Sequence, residues 1–141
     1  MAINSFVGNW RLLSFESRTL DGHVTYPMGD KLVGYIMYND QGDMSVAFMS
    51  TNRPVFASGD ARGASVEEKV TAFDTFFAYC GKYEIQGQKV LHHIEVCIFP
   101  NWTGVTQERF FELAENRLTL STPPFLLGGT QQTSHLIWER A

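Results

Sequence analysis

Hydrophobic and polar positions in this chain alternate in short runs, and turn residues cut the runs apart. Asp21-Gly22, Asn39-Asp40-Gln41-Gly42, Gln86-Gly87-Gln88, Glu115-Asn116 and Gly128-Gly129 mark the cuts, and the segments between them have the length and the β-branched or aromatic content of strands. The pattern predicts eight strands, over residues 9–18, 32–38, 43–49, 81–86, 89–98, 106–113, 117–121 and 132–139. Consecutive strands joined by tight turns make an antiparallel meander. The opening run Gly8-Asn9-Trp10-Arg11-Leu12 is answered by the closing run Leu136-Ile137-Trp138-Glu139-Arg140. First and last strands are therefore expected to pair and close the meander into a small barrel, an architecture that usually holds one small molecule.

One segment departs from period two. Ser65-Val66-Glu67-Glu68 has the form of a capping box, and Val66, Val70, Phe73 and Phe77 recur on one helical face. This predicts one amphipathic helix over residues 65–79, with Gly81 suited to its C-terminal cap. Its aromatic residues, Phe73, Phe76, Phe77 and Tyr79, either cover a barrel mouth or pack on the outside of the sheet. The irregular stretch from Ser50 to Ala64 leads directly into this helix, so loop and helix are expected to form one cap.

A chain of 141 residues, 44 % hydrophobic and 13 % aromatic, has the means for one packed domain spanning residues 1–141. The net charge of −4 and the lack of a Lys or Arg run remove the electrostatic footprint that nucleic acid or an anionic membrane would need. Residues Met1 to Phe6 have no basic or apolar leader pattern, and no stretch is long enough to span a bilayer, so a cytosolic location is expected. Cys80 and Cys97 are too few for a disulfide framework and lack metal-type spacing; both are expected to be reduced thiols.

Gly8-x-Trp10, the strand count and an Arg near the end of the last strand resemble the lipocalin and calycin barrels, in which the Trp packs at the closed end against an Arg. Further segments are similar to the small bacterial and fungal lipocalin-like domain family: Thr25-Tyr26-Pro27, Phe56-Ala57-Ser58-Gly59-Asp60, His92-His93, Phe99-Pro100-Asn101-Trp102-x-Gly104 and Leu118-Thr119-Leu120-Ser121-Thr122-Pro123-Pro124. The resemblance covers nearly the whole chain and implies an all-β, eight-stranded up-and-down barrel with an internal cavity. Related barrels in natural-product pathways resemble cofactor-free isomerases and cyclases, and others are carriers. The chain lacks the leader and disulfide of secreted lipocalins, which argues against extracellular transport.

Strand neighbours face opposite sides, so His92 and His93 cannot both enter a cavity or both bind one metal. Alternation over residues 89–98 sets His93, Glu95 and Cys97 on one face against His92, Ile94, Val96 and Ile98 on the other. Pattern alone buries the second face. Small binding barrels, however, place a few polar groups inside among aromatics to orient a ligand, which favours the first. His93 and Glu95 would then stand about 7 Å apart, flanking a ligand and able to move a proton across it. Arg109 shares a face with Phe111 and Leu113 and is expected to point inward. A buried Arg needs an anionic or carbonyl partner, either Glu95 or a ligand carboxylate or enolate.

The candidate catalytic set is thus His93, Glu95 and Arg109. The candidate ligand walls are Tyr26, Tyr35, Tyr38, Met44, Phe56, Phe73, Phe77, Tyr83, Cys97, Trp102 and Phe111. Cys97 and His93 lie about 13 Å apart along one strand, too far for a nucleophile and its base. Among His23, His92, His93 and His135 no metal-ligand spacing stands out, and no phosphate loop, dinucleotide fingerprint or Gly-x-Ser-x-Gly elbow is present. No metal and no cofactor are expected. The leading expectation is a small, largely apolar, aromatic or polyketide-like ligand that undergoes cofactor-free isomerisation or cyclisation. The alternative is an intracellular carrier with the same cavity and no catalysis. The partner is a small molecule rather than nucleic acid or membrane, with a homodimer as an open assembly state.

Overall fold

The computed structural model describes residues 5–141; Met1 to Asn4, part of the segment inspected for a leader, lie outside it. Ten strands form one antiparallel sheet: β1 Gly8–Thr19, β2 Val24–Thr25, β3 Leu32–Tyr38, β4 Asp43–Ser50, β5 Phe76–Gln86, β6 Lys89–Cys97, β7 Thr106–Ala114, β8 Arg117–Ser121, β9 Phe125–Leu127 and β10 Thr130–Arg140. The short β2 and β9 pair at the sheet's margins. The other eight follow the order β1-β3-β4-β5-β6-β7-β8-β10, and β10 pairs back onto β1, closing the barrel. The matched ends of the chain are the seam, with Trp10 opposite Arg140 and Leu12 opposite Trp138.

Alternation decides what fills the barrel. Ile36 and Tyr38 on β3, Met44, Val46 and Phe48 on β4, Val90 and Ile94 on β6, and Leu118 and Leu120 on β8 are all buried, while their strand neighbours face outward. Trp10 lies in this core with its indole N–H donating to the Phe6 carbonyl at 2.9 Å. The Arg140 guanidinium sits 4.1 Å from the centroid of the Trp10 ring and donates to the carbonyls of Val7 and Ser5, tying the last strand to the first. This is the Trp–Arg packing implied by the lipocalin resemblance.

The helix is shorter than its apolar stripe suggests. α1 spans Val66–Asp74, with the predicted capping box intact: Glu68 N–H donates to Ser65 Oγ at 3.1 Å, and Ser65 N–H to Glu68 Oε1 at 2.9 Å. It ends at Thr75, because Phe76, Phe77, Ala78 and Tyr79 pair with β4 from Met49 to Val46 and begin β5. A full ladder to β4 outweighs the extra helical turn, as expected for residues of high β propensity. None of α1 is buried, and Val66, Val70 and Phe73 are exposed, so its stripe covers no barrel mouth.

Gly81 caps no helix. It sits within β5 where the register with β6 slips, Cys80 opposing Val96 and Gly81 opposing Ile94, so Glu95 is the extra residue of a β-bulge. A Cβ at position 81 would overlap the His93 carbonyl oxygen, which explains the glycine.

Candidate functional site

The barrel wall formed by β3, β5, β6 and β7 carries a polar cluster inside an otherwise apolar interior. His92 is 0 % exposed and is bridged by two tyrosines, Tyr38 Oη lying 2.8 Å from Nε2 and Tyr79 Oη 2.6 Å from Nδ1. Each comes from a different strand, and each is placed by the same inward alternation as its apolar neighbours. Tyr83 stacks edge-on against Tyr38 at 4.7 Å and donates its hydroxyl to the Asn39 carbonyl, bracing the cluster from below.

Arg109 enters from β7 and is 7 % exposed. Its guanidinium lies 5.5 Å from the centroid of the Trp102 ring and donates to the Glu108 carbonyl at 3.0 Å. Among the described residues it has no ion pair. Arg remains charged at any accessible pH, so this barrel holds a fixed positive charge inside. Burying an ion costs several kcal/mol, whereas a desolvated cation–π contact returns about 2.

Burial drives the His92 pKa well below that of an ordinary imidazole, and the Arg109 charge and then His93 act in the same direction. Burial also pushes the phenol of Tyr38 well up and raises that of Tyr79, where Arg109 opposes it by charge and as a hydrogen-bond donor. A cation beside the phenol favours the orientation in which the Tyr79 oxygen faces Arg109 and its O–H points to Nδ1 of His92. The neutral ring then carries its proton on Nε2 and donates to Tyr38, an assignment made from the network. The Tyr38 hydroxyl stands at the end of a chain that runs from Tyr79 through His92.

Several sequence-derived candidates lie elsewhere. His93 is on the outer face, its Nε2 2.8 Å from Glu84 Oε1 and its Nδ1 2.7 Å from Thr106 Oγ1. Glu95 is exposed on the bulge and reaches neither His93 across a cavity nor Arg109 as its counter-ion. The inward face of β6 is the one the apolar pattern selects: Val90, His92 and Ile94 bury cheaply because His92 finds two hydroxyls, whereas an unpaired Glu95 carboxylate would not. Tyr35 faces outward on β3, Phe73 is exposed on α1, and Tyr26 is exposed beyond β2, so none of the three lines the interior.

The remaining candidates do converge. Tyr38, Met44 and Tyr83 are buried, and Phe77, Cys97, Trp102 and Phe111 are partly buried against the same core. Phe77 meets Tyr79 and Trp102 ring to edge and lies tilted against Phe48, and Phe111 meets Phe6 at 4.8 Å. Cys97 turns inward because the bulge shifts the alternation by one residue after Glu95, separating it from the His93 face. Burial raises its thiol pKa, which disfavours the reactive thiolate. Sequence reasoning missed His92 and Tyr79 as site residues; the Val90-x-His92-x-Ile94 alternation carried the signal for the first.

Phe56 lines a different space, an open groove of about 700 Å³ between α1 and the preceding loop, together with Arg53, Pro54 and Thr71. Arg53 holds that loop to the helix by donating to the Ala72 carbonyl and Thr75 Oγ1, and Glu68 Oε2 accepts from Ala57 N–H. Loop and helix do form one unit, on the outside of the barrel.

The model of the lipocalin-like domain family matches residues 7–141. The chain belongs to this family. A 4'-hydroxy-3'-methoxypropiophenone carrier protein, ppsC, of Aspergillus oryzae is 29 % identical over 106 residues, which cover 69 % of this chain and 96 % of that protein. An uncharacterized protein from Bacteroides eggerthii has the same fold at a TM-score of 0.50 and 13 % identity, over 96 % of this chain and 99 % of that one.

Among the described residues two buried side-chain atoms lack a hydrogen-bond partner, the acceptor Gln132 Oε1 and the donor Trp138 Nε1, both on β10. Trp138 is 1 % exposed on the inward face of β10, and its Nε1–H has no hydrogen-bond partner among the described residues. Its ring packs edge-on to Phe48 at 6.5 Å. In the closed strand order β10 stands opposite β5 and two strands from β3, so this donor faces Tyr79 from the opposite wall and lies nearer Tyr38.

Proposed function

We propose that this lipocalin-like protein is a small-molecule carrier whose barrel holds an aromatic, oxygen-bearing ligand, with Tyr38, Tyr79 and His92 meeting the ligand's oxygen. The observation that carries this reading is a fully buried imidazole bridged by two hydroxyls in an apolar interior. Ligand pockets in small barrels have this composition, a mainly apolar lining with a few placed polar groups. The Aspergillus oryzae carrier supports the same ligand class, a phenyl ketone bearing hydroxyl and methoxyl groups.

Carriage fits the titration of the cluster better than proton-transfer catalysis does. A general base works best with a pKa near the ambient pH, whereas burial holds His92 well below that range and the Tyr38 phenol well above its own. Isomerisation or cyclisation stays as the second reading, because the hydroxyl–imidazole–hydroxyl chain is continuous and could pass a proton along its length. The proposal places the protein in the cytosol with both thiols reduced; among the described residues no helix is long and apolar enough to cross a membrane.

The test is calorimetric titration with 4'-hydroxy-3'-methoxypropiophenone, followed by chromatography and mass analysis of the recovered compound. Saturable one-site binding, at least about tenfold weaker in Tyr38→Phe, with the compound returned unchanged, is the expected result. Recovery at altered retention and equal mass would favour the isomerase reading. Absence of binding would contradict both.

A further inference from the structure

The barrel interior carries donors and a cation but no anion to receive them. Arg109 is buried without an ion pair, and Trp138 Nε1–H is buried without any acceptor, both among the described residues. The acidic side chains of the flanking strands, Glu84, Glu95, Glu108 and Glu112, are exposed on the outer surface. The groups that share the interior with Arg109 are Tyr38 from β3, Tyr79 and Tyr83 from β5, and His92 and Cys97 from β6. None of them is an anion at neutral pH. The hydrogen-bond chain also has a direction: it runs from Tyr79, which lies under the charge of Arg109, through His92 to Tyr38, whose O–H is left to donate to whatever meets it.

We propose that the barrel takes its ligand as an oxyanion, an acidic phenol, enol or carboxylic acid bound in its deprotonated form, with Arg109 as the counter-ion and Tyr38 and Trp138 as donors. This rests on the reading of the interior as a ligand site and narrows it to one chemical class. A hydroxyaryl ketone suits this class, since a para-acyl group spreads phenolate charge onto the ketone oxygen and offers two electron-rich ends to donors on different strands. A guanidinium keeps its charge, and burial favours the neutral forms of His92, Tyr38 and Tyr79. The pH dependence of binding therefore belongs to the ligand: affinity rises with pH up to the free ligand's own pKa and then levels off.

The experiment uses the whole protein and two probes, the hydroxyaryl ketone named above and its O-methyl ether, which cannot ionise. Each is titrated below the phenol's free pKa while the near-ultraviolet absorbance is followed, since a phenolate absorbs to the red of its phenol. Growth of the phenolate band on binding is expected, with the ether bound roughly ten- to hundredfold more weakly, the range of one charge-assisted hydrogen bond. Arg109→Gln should abolish the band and remove the preference between probes. The wild-type spectrum decides the matter even if that variant folds poorly. A bound phenol that keeps its neutral spectrum, or an ether bound as tightly, overturns the oxyanion proposal and leaves the carrier reading intact. Failure of both probes to bind overturns both.

Discussion

Two adjacent histidines on β6 have opposite fates, and the difference is a matter of partners. His92 is sealed between Tyr38 and Tyr79, while His93 meets Glu84 and Thr106 at the surface. Replacing His92 with Phe would keep the volume and strand two buried hydroxyls, each costing about 1–3 kcal/mol. We expect His92→Phe to lower unfolding stability by about 2–5 kcal/mol in urea titrations, against about 0.5 kcal/mol or less for His93→Ala at the surface. The pH dependence follows in sign. A histidine whose folded pKa lies below its unfolded value contributes stability above the unfolded pKa of 6.5 and loses it as the pH falls. Below that point the parent should lose about 1.4 kcal/mol per pH unit from His92, a slope missing in His92→Phe. His135, whose pKa burial also lowers, leaves its own smaller slope in both proteins. At this scale the sequence was half legible. Apolar alternation pointed to His92, but the preference for polar groups in binding barrels pointed to His93. Only the two tyrosines, from strands distant in sequence, make burial of His92 tolerable.

Among the elements, β5 and its bulge show where local pattern misleads. The stripe Val66, Val70, Phe73 and Phe77 reads as one helix, yet the chain leaves the helix at Thr75 and the aromatic run becomes strand. Period 3.6 and period two coincide over so short a segment, and the ladder to β4 decides between them. The bulge at Glu95 was invisible because it depends on cross-strand register, a property of two segments at once. It has a consequence for the site: it turns Cys97 inward beside Tyr79 and Val96 outward, while Glu95 stays on the outer face, away from Arg109. Gly81 makes it possible. Gly81→Ala should force the two strands apart and cost about 1–3 kcal/mol, with weakened amide protection along β5 and β6 in hydrogen exchange. Protection and stability equal to the parent's would remove Gly81 from this role.

For the molecule as a whole, barrel closure was the most legible feature. Turn residues at regular intervals give a meander, and the paired ends Trp10 and Arg140, Leu12 and Trp138 give the seam. What a barrel encloses is harder to read, because interior polarity depends on which face of every strand turns in. Here that outcome is a buried imidazole, three tyrosines, and, among the described residues, a guanidinium without an ion pair and an indole N–H without an acceptor within one apolar shell, separate from the open groove by α1. The central claim is that the ligand lies inside the barrel and not in that groove. Chemical-shift mapping with labelled protein and the hydroxyaryl ketone separates the two most directly. Our account predicts that the His92 ring, Tyr38, Tyr79 and the Trp138 indole N–H shift together and saturate at one stoichiometry. Shifts confined to Val55, Phe56, Ala61 and Thr71, with the His92 ring and the Trp138 indole unmoved, would contradict it.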